Sequence, residues 1–203
     1  MKDIPNNGVF DINVKGDWKG KLKIKFFQNV DLEKYSDKNS SRKKVRFLKT
    51  HSAFGSYNNN HFTSPEVTLG GIYIVRDPRN IVSSIMRHFS IGKNEAIKMI
   101  TDENNGIRSD DGNLATYSFL SSWSNHCNSW SNIKSFRTKI IKYEDLKNNF
   151  REVLTDLIRF INSLLNNNEG INFLKLEKAI ETTSFEKLKN MENKEGFTES
   201  IYS

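Results

Sequence analysis

Two arginines stand where an apolar run meets the start of a helical pattern, in the segment IYIVRDPRNIVSSIMRHF (residues 72–89). The β-branched and aromatic residues 72–75 predict a short buried parallel strand. Asp77 is suited to cap a helix N-terminus, and Pro78 suits the first helical position, where its missing N–H has no helical partner. A helix that begins at the carboxyl edge of a parallel strand directs its free N–H groups at that edge, where Arg76 and Arg79 add positive charge. The segment therefore predicts a site for an anion.

A second pair of polar residues, Lys49 and His51, ends the run VRFLKTH (residues 45–51). The run predicts a strand with a polar tip. A lone histidine is more often structural than catalytic, and the position of His51 at a strand end, two residues after a lysine, favours a functional role. Trp123, Cys127 and Trp130 share one helical stripe and are interpreted as core residues.

The composition narrows the classes of partner. The 203 residues include 31 Lys and Arg against 24 Asp and Glu, a net charge of +7, which favours anionic partners, although solvated surface lysines explain such a charge equally well. The basic residues are spread along the chain without a reading motif, so nucleic acid is not expected as a partner. The single cysteine excludes an internal disulfide, and His126 beside it lacks the partners of a metal site, so no metal is predicted. With no apolar run of 18 residues and no signal segment, we predict a cytoplasmic protein without a membrane span.

Strand and helix patterns alternate along the chain, which predicts an α/β fold with a parallel sheet. Residues 34–44, 58–64 and 102–112 are predicted as loops. No glycine-rich phosphate loop occurs. The predicted strands are residues 21–27, 45–51, 72–75 and 139–143, and the predicted helices are residues 78–89, 93–100, 114–130, 150–165, 173–181 and 185–191.

Four segments in order resemble the cytosolic-type sulfotransferases, which transfer a sulfuryl group from 3′-phosphoadenosine 5′-phosphosulfate (PAPS) to an acceptor hydroxyl or amine. The segments are FLKTH (residues 47–51), YIVRDPRNIVSS (73–84), KIIKYEDLKNNF (139–150) and TTSFEKLKNME (182–192). The resemblance covers roughly residues 45–200. It implies a three-layer parallel sheet flanked by helices, like that of the P-loop nucleotide hydrolases. Residues 1–203 would form a single, partial sulfotransferase domain with an irregular N-terminal region over residues 1–44.

The resemblance also assigns roles to individual residues. It makes His51 the general base and places Lys49 near the transferred sulfuryl group. It implies that PAPS is the co-substrate and that no metal takes part. The residues implied to bind the nucleotide are Arg76 and Ser84 at the 3′-phosphate and Tyr143, Thr183, Ser184 and Phe185 at the adenine. A salt bridge for Arg76 and a helix-capping role for Ser184 are the structural alternatives.

Two family features are missing from the sequence. The loop resembling PKSGTTW that cradles the 5′-phosphosulfate does not precede KTH, and the RKGxxG loop does not follow TTSF. We therefore expect a fragment with an incomplete fold and with little or no transfer activity of its own. The alternative function is a truncated, catalytically inactive module that binds a nucleotide or a partner. The acceptor, a small molecule or a glycan, and the oligomeric state are left open.

Overall fold

A computed structural model describes residue 45 and residues 47–57, 60–110 and 115–195. The chain divides into two compact units. The first contains the described residues up to Thr68 together with Ile97–Arg137, and the second contains Leu69–Ala96 and the described residues from Thr138 onward. The predicted strand at residues 21–27 and the irregular region 1–44 lie outside the described residues.

The described elements are a mixture of short strands and helices, which is compatible with the α/β prediction. In chain order they are β1 (Ser56–Tyr57), β2 (Asn60–His61), β3 (Gly70–Val75), α1 (Pro78–Phe89), α2 (Lys93–Thr101), β4 (Gly106–Asp110), β5 (Ala115–Phe119), α3 (Trp123–Ser131), β6 (Arg137–Lys142), α4 (Tyr143–Asn148), α5 (Phe150–Leu164), α6 (Phe173–Thr182) and α7 (Phe185–Glu195). The predictions for β3, α1, α2, β6, α5, α6 and α7 are confirmed, with ends that differ by a few residues.

The second unit is built on β3 and β6, which pair as a two-stranded parallel sheet. The prediction that β3 is a buried strand is wrong, because Ile74 is 54% exposed while Tyr73 and Val75 are half-buried. Successive side chains of a strand point to opposite faces, so β3 buries one face more deeply than the other. Helix α5 contacts α4 and α6, and its apolar stripe is half-buried.

Helix α1 begins and ends as local chemistry dictates. The Asp77 side chain accepts a hydrogen bond from the Arg79 N–H at 2.8 Å, and Pro78 occupies the first turn. The helix ends at Ser90, whose φ of 53° places it in the left-handed region. The N-cap prediction is therefore confirmed.

Four predictions for the first unit are wrong. The described part of residues 45–51 forms no strand, and Phe47 is 71% exposed. A strand requires a neighbour for its backbone hydrogen bonds, and none of the described strands pairs with this segment. Residues 106–110, predicted as loop, and residues 115–119, predicted as helix, instead pair as the antiparallel strands β4 and β5. Residues 60–61, predicted as loop, likewise form β2, which pairs with β1 at residues 56–57.

An aromatic cluster forms the core of the first unit. The ring centroid of Phe54 lies 5.7 Å from that of Trp130, 5.6 Å from that of Phe136 and 6.3 Å from that of Phe62. These separations fall in the range of favourable edge-to-face and tilted contacts. Trp130 is buried, as its interpretation as a core residue requires, whereas Trp123 and Cys127 are half-buried.

Two leucines of α6 allow a matched test of the core in the second unit. Leu176 is 1% exposed and Leu174 is 85% exposed, on the same helix. We expect Leu176→Ala to lower the free energy of unfolding by about 2–5 kcal/mol, because it removes buried methyl groups and leaves a cavity. Leu174→Ala should change it by less than about 0.5 kcal/mol. Urea denaturation followed by circular dichroism measures both, and equal losses would contradict the burial of Leu176.

Candidate functional site

Arg76 and Tyr143 meet at one edge of the parallel sheet. Arg76 is the residue after β3, and Tyr143 is the residue after β6. Because parallel neighbours bring their carboxyl ends to the same edge, these two side chains converge there. The guanidinium carbon of Arg76 lies 4.4 Å from the centroid of the Tyr143 ring, within the range of a cation–π interaction. The Nε atom of Arg76 is buried. The arrangement holds a guanidinium group against an aromatic ring at the edge where ligands of such sheets bind.

The carboxylate of Asp77, at the same edge, forms an ion pair with the guanidinium group of Arg79. The Arg79 guanidinium donates to both carboxylate oxygens of Asp77, at 3.0 and 3.1 Å from Nε and 2.5 Å from Nη2. These hydrogen bonds, followed by that from the Arg79 backbone N–H, lower the pKa of Asp77 to about 2. Asp77 and Arg79 therefore compensate each other, and the charge of Arg79 is engaged locally rather than directed at a ligand.

The remaining residues implied for nucleotide binding lie elsewhere in the second unit. Ser84 is half-buried on α1. Thr183 ends α6, where its hydroxyl donates to the Ala179 carbonyl at 2.7 Å. The Ser184 carbonyl accepts the N–H of Leu188 at 3.0 Å, so Ser184 stands at the start of α7. Of the nucleotide-binding candidates, Arg76 and Tyr143 are in direct contact with each other.

Lys49 and His51 are exposed and belong to the first unit, whereas the nucleotide-binding candidates belong to the second. Immediately after His51, hydrogen bonds hold the backbone N–H groups of the chain. The Ser52 N–H donates to the hydroxyl of Thr50 at 3.1 Å, and the Ala53 N–H donates to the Phe119 carbonyl at 2.8 Å. His51 therefore precedes an anchored segment, although none of the described strands contains it.

Helix α3 supplies side chains to the same segment. His126 Nε2 lies 3.1 Å from the carbonyl oxygen of His51, and Trp130 Nε1 donates to the carbonyl oxygen of Ser52 at 3.0 Å. A carbonyl oxygen only accepts hydrogen bonds, so Nε2 of His126 carries the hydrogen. Sequence reasoning placed Trp130 in the core and assigned His126 no role. No local signal marks these contacts, because the partners lie 75 or more residues apart.

Burial also lowers the pKa of His126. Loss of solvation around its half-buried ring is the main cause that lowers its pKa below the usual 6.5, and the hydrogen bond with His51 acts in the opposite direction. Neutral imidazole is therefore favoured in the folded protein.

The sulfotransferase domain family matches residues 12–200 of the chain. The chain belongs to this family. No curated protein matches it. Among the described residues, no helix is long and apolar enough to cross a membrane. No group of three or more His, Cys, Asp or Glu side chains that could hold a metal ion occurs within the described part of the chain.

The lowered pKa of His126 predicts a pH-dependent stability. The unfolded chain binds a proton at this residue more readily than the folded chain, so the contribution of His126 is present above pH 6.5 and is lost as the pH falls through its folded pKa. We expect the free energy of unfolding of the wild type to decrease relative to that of His126→Gln as the pH falls below 6.5. Urea denaturation across this pH range measures the difference. A difference that is independent of pH would contradict the buried, neutral state.

Proposed function

We propose that this chain is a sulfotransferase domain that transfers a sulfuryl group from PAPS to an acceptor hydroxyl or amine. The observation that carries the proposal is the Arg76 guanidinium held against Tyr143 at the carboxyl edge of β3 and β6. The family match supports transfer of a sulfuryl group in general. We propose PAPS as the donor and assign the binding and catalytic residues below as part of the same proposal. We also propose that residues 1–203 form a single domain with a three-layer, P-loop-like arrangement.

The nucleotide half of the donor offers the chemistry that this edge could bind. Adenosine 3′-phosphate combines a dianionic group with a flat base. The planar fork of Arg76 matches a phosphate, and the hydroxyl of Ser84 would add a neutral hydrogen bond. Arg76 lies over the Tyr143 ring, and the adenine would contact the opposite face of that ring or its hydroxyl. Thr183, Ser184 and Phe185 would complete the adenine contacts, as the family resemblance implies.

The transfer step is assigned to Lys49 and His51. The acceptor oxygen or nitrogen forms a bond to sulfur while the bond between sulfur and the bridging phosphate oxygen breaks. The proton of the acceptor passes to His51, and adenosine 3′,5′-bisphosphate leaves. Lys49 would stabilise the negative charge that develops on the bridging oxygen and the sulfuryl group.

Binding of adenosine 3′,5′-bisphosphate tests the nucleotide site. We expect Arg76→Ala to weaken binding roughly 10- to 100-fold, because a charge-assisted hydrogen bond contributes about 1.5–3 kcal/mol and each 1.4 kcal/mol is tenfold. Isothermal titration calorimetry of the folded wild type and the variant measures the dissociation constants.

Arg87→Ala is the matched control for that experiment. Arg87 is an exposed arginine in the last turn of α1, so its removal should affect binding through net charge alone. Equal weakening by both substitutions, or no binding by a folded wild type, would contradict the assignment of Arg76.

Loss of transfer with retained binding tests His51. His51→Ala should lower PAPS-dependent transfer by about 10²–10⁴-fold, the usual contribution of general-base catalysis, while calorimetry shows unchanged nucleotide binding. Transfer of ³⁵S from labelled PAPS to a panel of alcohols, phenols, sugars and amines measures the rate. His61→Ala, at an exposed histidine of β2, is the control. A wild-type chain that binds the nucleotide without any transfer would instead support the inactive binding module.

A further inference from the structure

Three side chains on one face of α3 engage the segment that follows His51. His126, Ser129 and Trp130 are spaced three and four residues apart, which places them together on a helix surface. The contacts of His126 with the His51 carbonyl and of Trp130 with the Ser52 carbonyl are joined by a third, in which the Phe54 N–H donates to the hydroxyl of Ser129 at 3.0 Å. We call residues 51–54, which are His51 and the three residues after it, the post-histidine segment.

The contact made by His126 acts on the backbone of His51 itself. The His51 carbonyl belongs to the peptide plane that links His51 to Ser52, and a hydrogen bond to it restricts rotation about ψ of His51. Ser52 N–H, in the same plane, is bonded to the Thr50 hydroxyl. Both polar groups of this peptide are therefore occupied. The direction in which the His51 side chain leaves the backbone depends on the orientation of this plane.

Helix α3 is itself held firmly within the first unit. The Ser122 hydroxyl caps its N-terminus by accepting the Asn125 N–H at 3.3 Å. Ser121, in the left-handed region with φ of 57°, donates through its N–H to the Asn105 carbonyl and through its hydroxyl to the Glu103 carbonyl, each at 2.9 Å. Near the other end of the helix, Trp130 is 7% exposed within the aromatic cluster. The helix therefore offers a rigid reference for the exposed histidine.

We propose that His126 is a positioning residue for His51: its Nε2–H holds the peptide plane after His51 and so orients the catalytic side chain. The inference rests on the proposed role of His51 as the general base. A proton acceptor must be held in the correct geometry, since a misplacement of about 1 Å can cost about 10²-fold in rate. Residues 45–51 form no described strand that could supply this constraint.

Two substitutions separate the donor from the bulk of the His126 side chain. His126→Leu removes the hydrogen-bond donor and keeps an apolar group of similar size, whereas His126→Gln keeps an N–H donor near the position of Nε2. We expect the ¹⁵N order parameter of the Ser52 amide to fall from about 0.85 in the wild type to below about 0.6 in His126→Leu, and to be restored in His126→Gln. We expect the transfer rate at saturating PAPS to fall about 10- to 100-fold in His126→Leu and to recover in His126→Gln, with unchanged binding of adenosine 3′,5′-bisphosphate.

Two further variants control for effects on folding. Trp130→Phe removes the Nε1–H donor to Ser52 together with part of the indole ring and keeps an aromatic side chain in the cluster, so it should loosen the same segment even if His126→Leu fails to fold. Asn132→Ala removes an exposed side chain whose amide donates to the Asn128 carbonyl within α3, and it should change neither the order parameter nor the rate.

The outcomes separate this inference from the proposed function. An ordered Ser52 amide in both His126→Leu and Trp130→Phe would overturn the inference, as would a mobile amide with an unchanged transfer rate. If the wild type transfers no sulfuryl group, as expected of an incomplete domain, the inactive binding module replaces the proposed transfer, and the order parameter alone decides whether His126 holds the post-histidine segment.

Discussion

Parallel pairing of β3 and β6 is the constraint on which the candidate nucleotide site depends. Arg76 and Tyr143 are distant in sequence, and they meet because each is the first residue after a strand and the strands run in the same direction. The cation–π contact then holds the guanidinium group against the Tyr143 ring, and a guanidinium is the group with the best geometric match to a phosphate. An antiparallel pairing would place the two side chains at opposite edges.

Charge at this edge is organised by local compensation. Asp77 is required as the cap of α1, yet a carboxylate beside an anion site would repel the ligand. Arg79 removes this conflict by binding both oxygens of Asp77, and the low pKa of Asp77 reflects the same contacts. The pair leaves Arg76 as the cation that stands against an aromatic ring. The N-terminus of α1 therefore has a strong cap whose negative charge is neutralised by Arg79, beside the candidate anion site at Arg76.

In the first unit the backbone at His51 must be held by contacts other than strand pairing, because the described part of residues 45–51 forms no strand. Phe47 is exposed, so apolar burial does not fix the chain before His51. The backbone from His51 onward is held by hydrogen bonds of residues 51–54 with α3 and β5. The buried ring of Trp130 contributes both to the aromatic core and to this segment, so the stability of the unit and the orientation of the histidine share one residue.

The sequence alone determined the features that arise within a few residues. The cap of α1 by Asp77, the start of the helix at Pro78 and the periods of α5 and α6 follow from neighbouring side chains, and the ordered motifs identified the sulfotransferase family. The tertiary structure decided that the described part of residues 45–51 forms no strand, that β4 pairs with β5 and that His126 contacts His51. A strand exists only if a partner accepts its hydrogen bonds, and the contact between His126 and His51 spans 75 residues. Such contacts depend on how distant segments pack, which the residue types at either end do not specify.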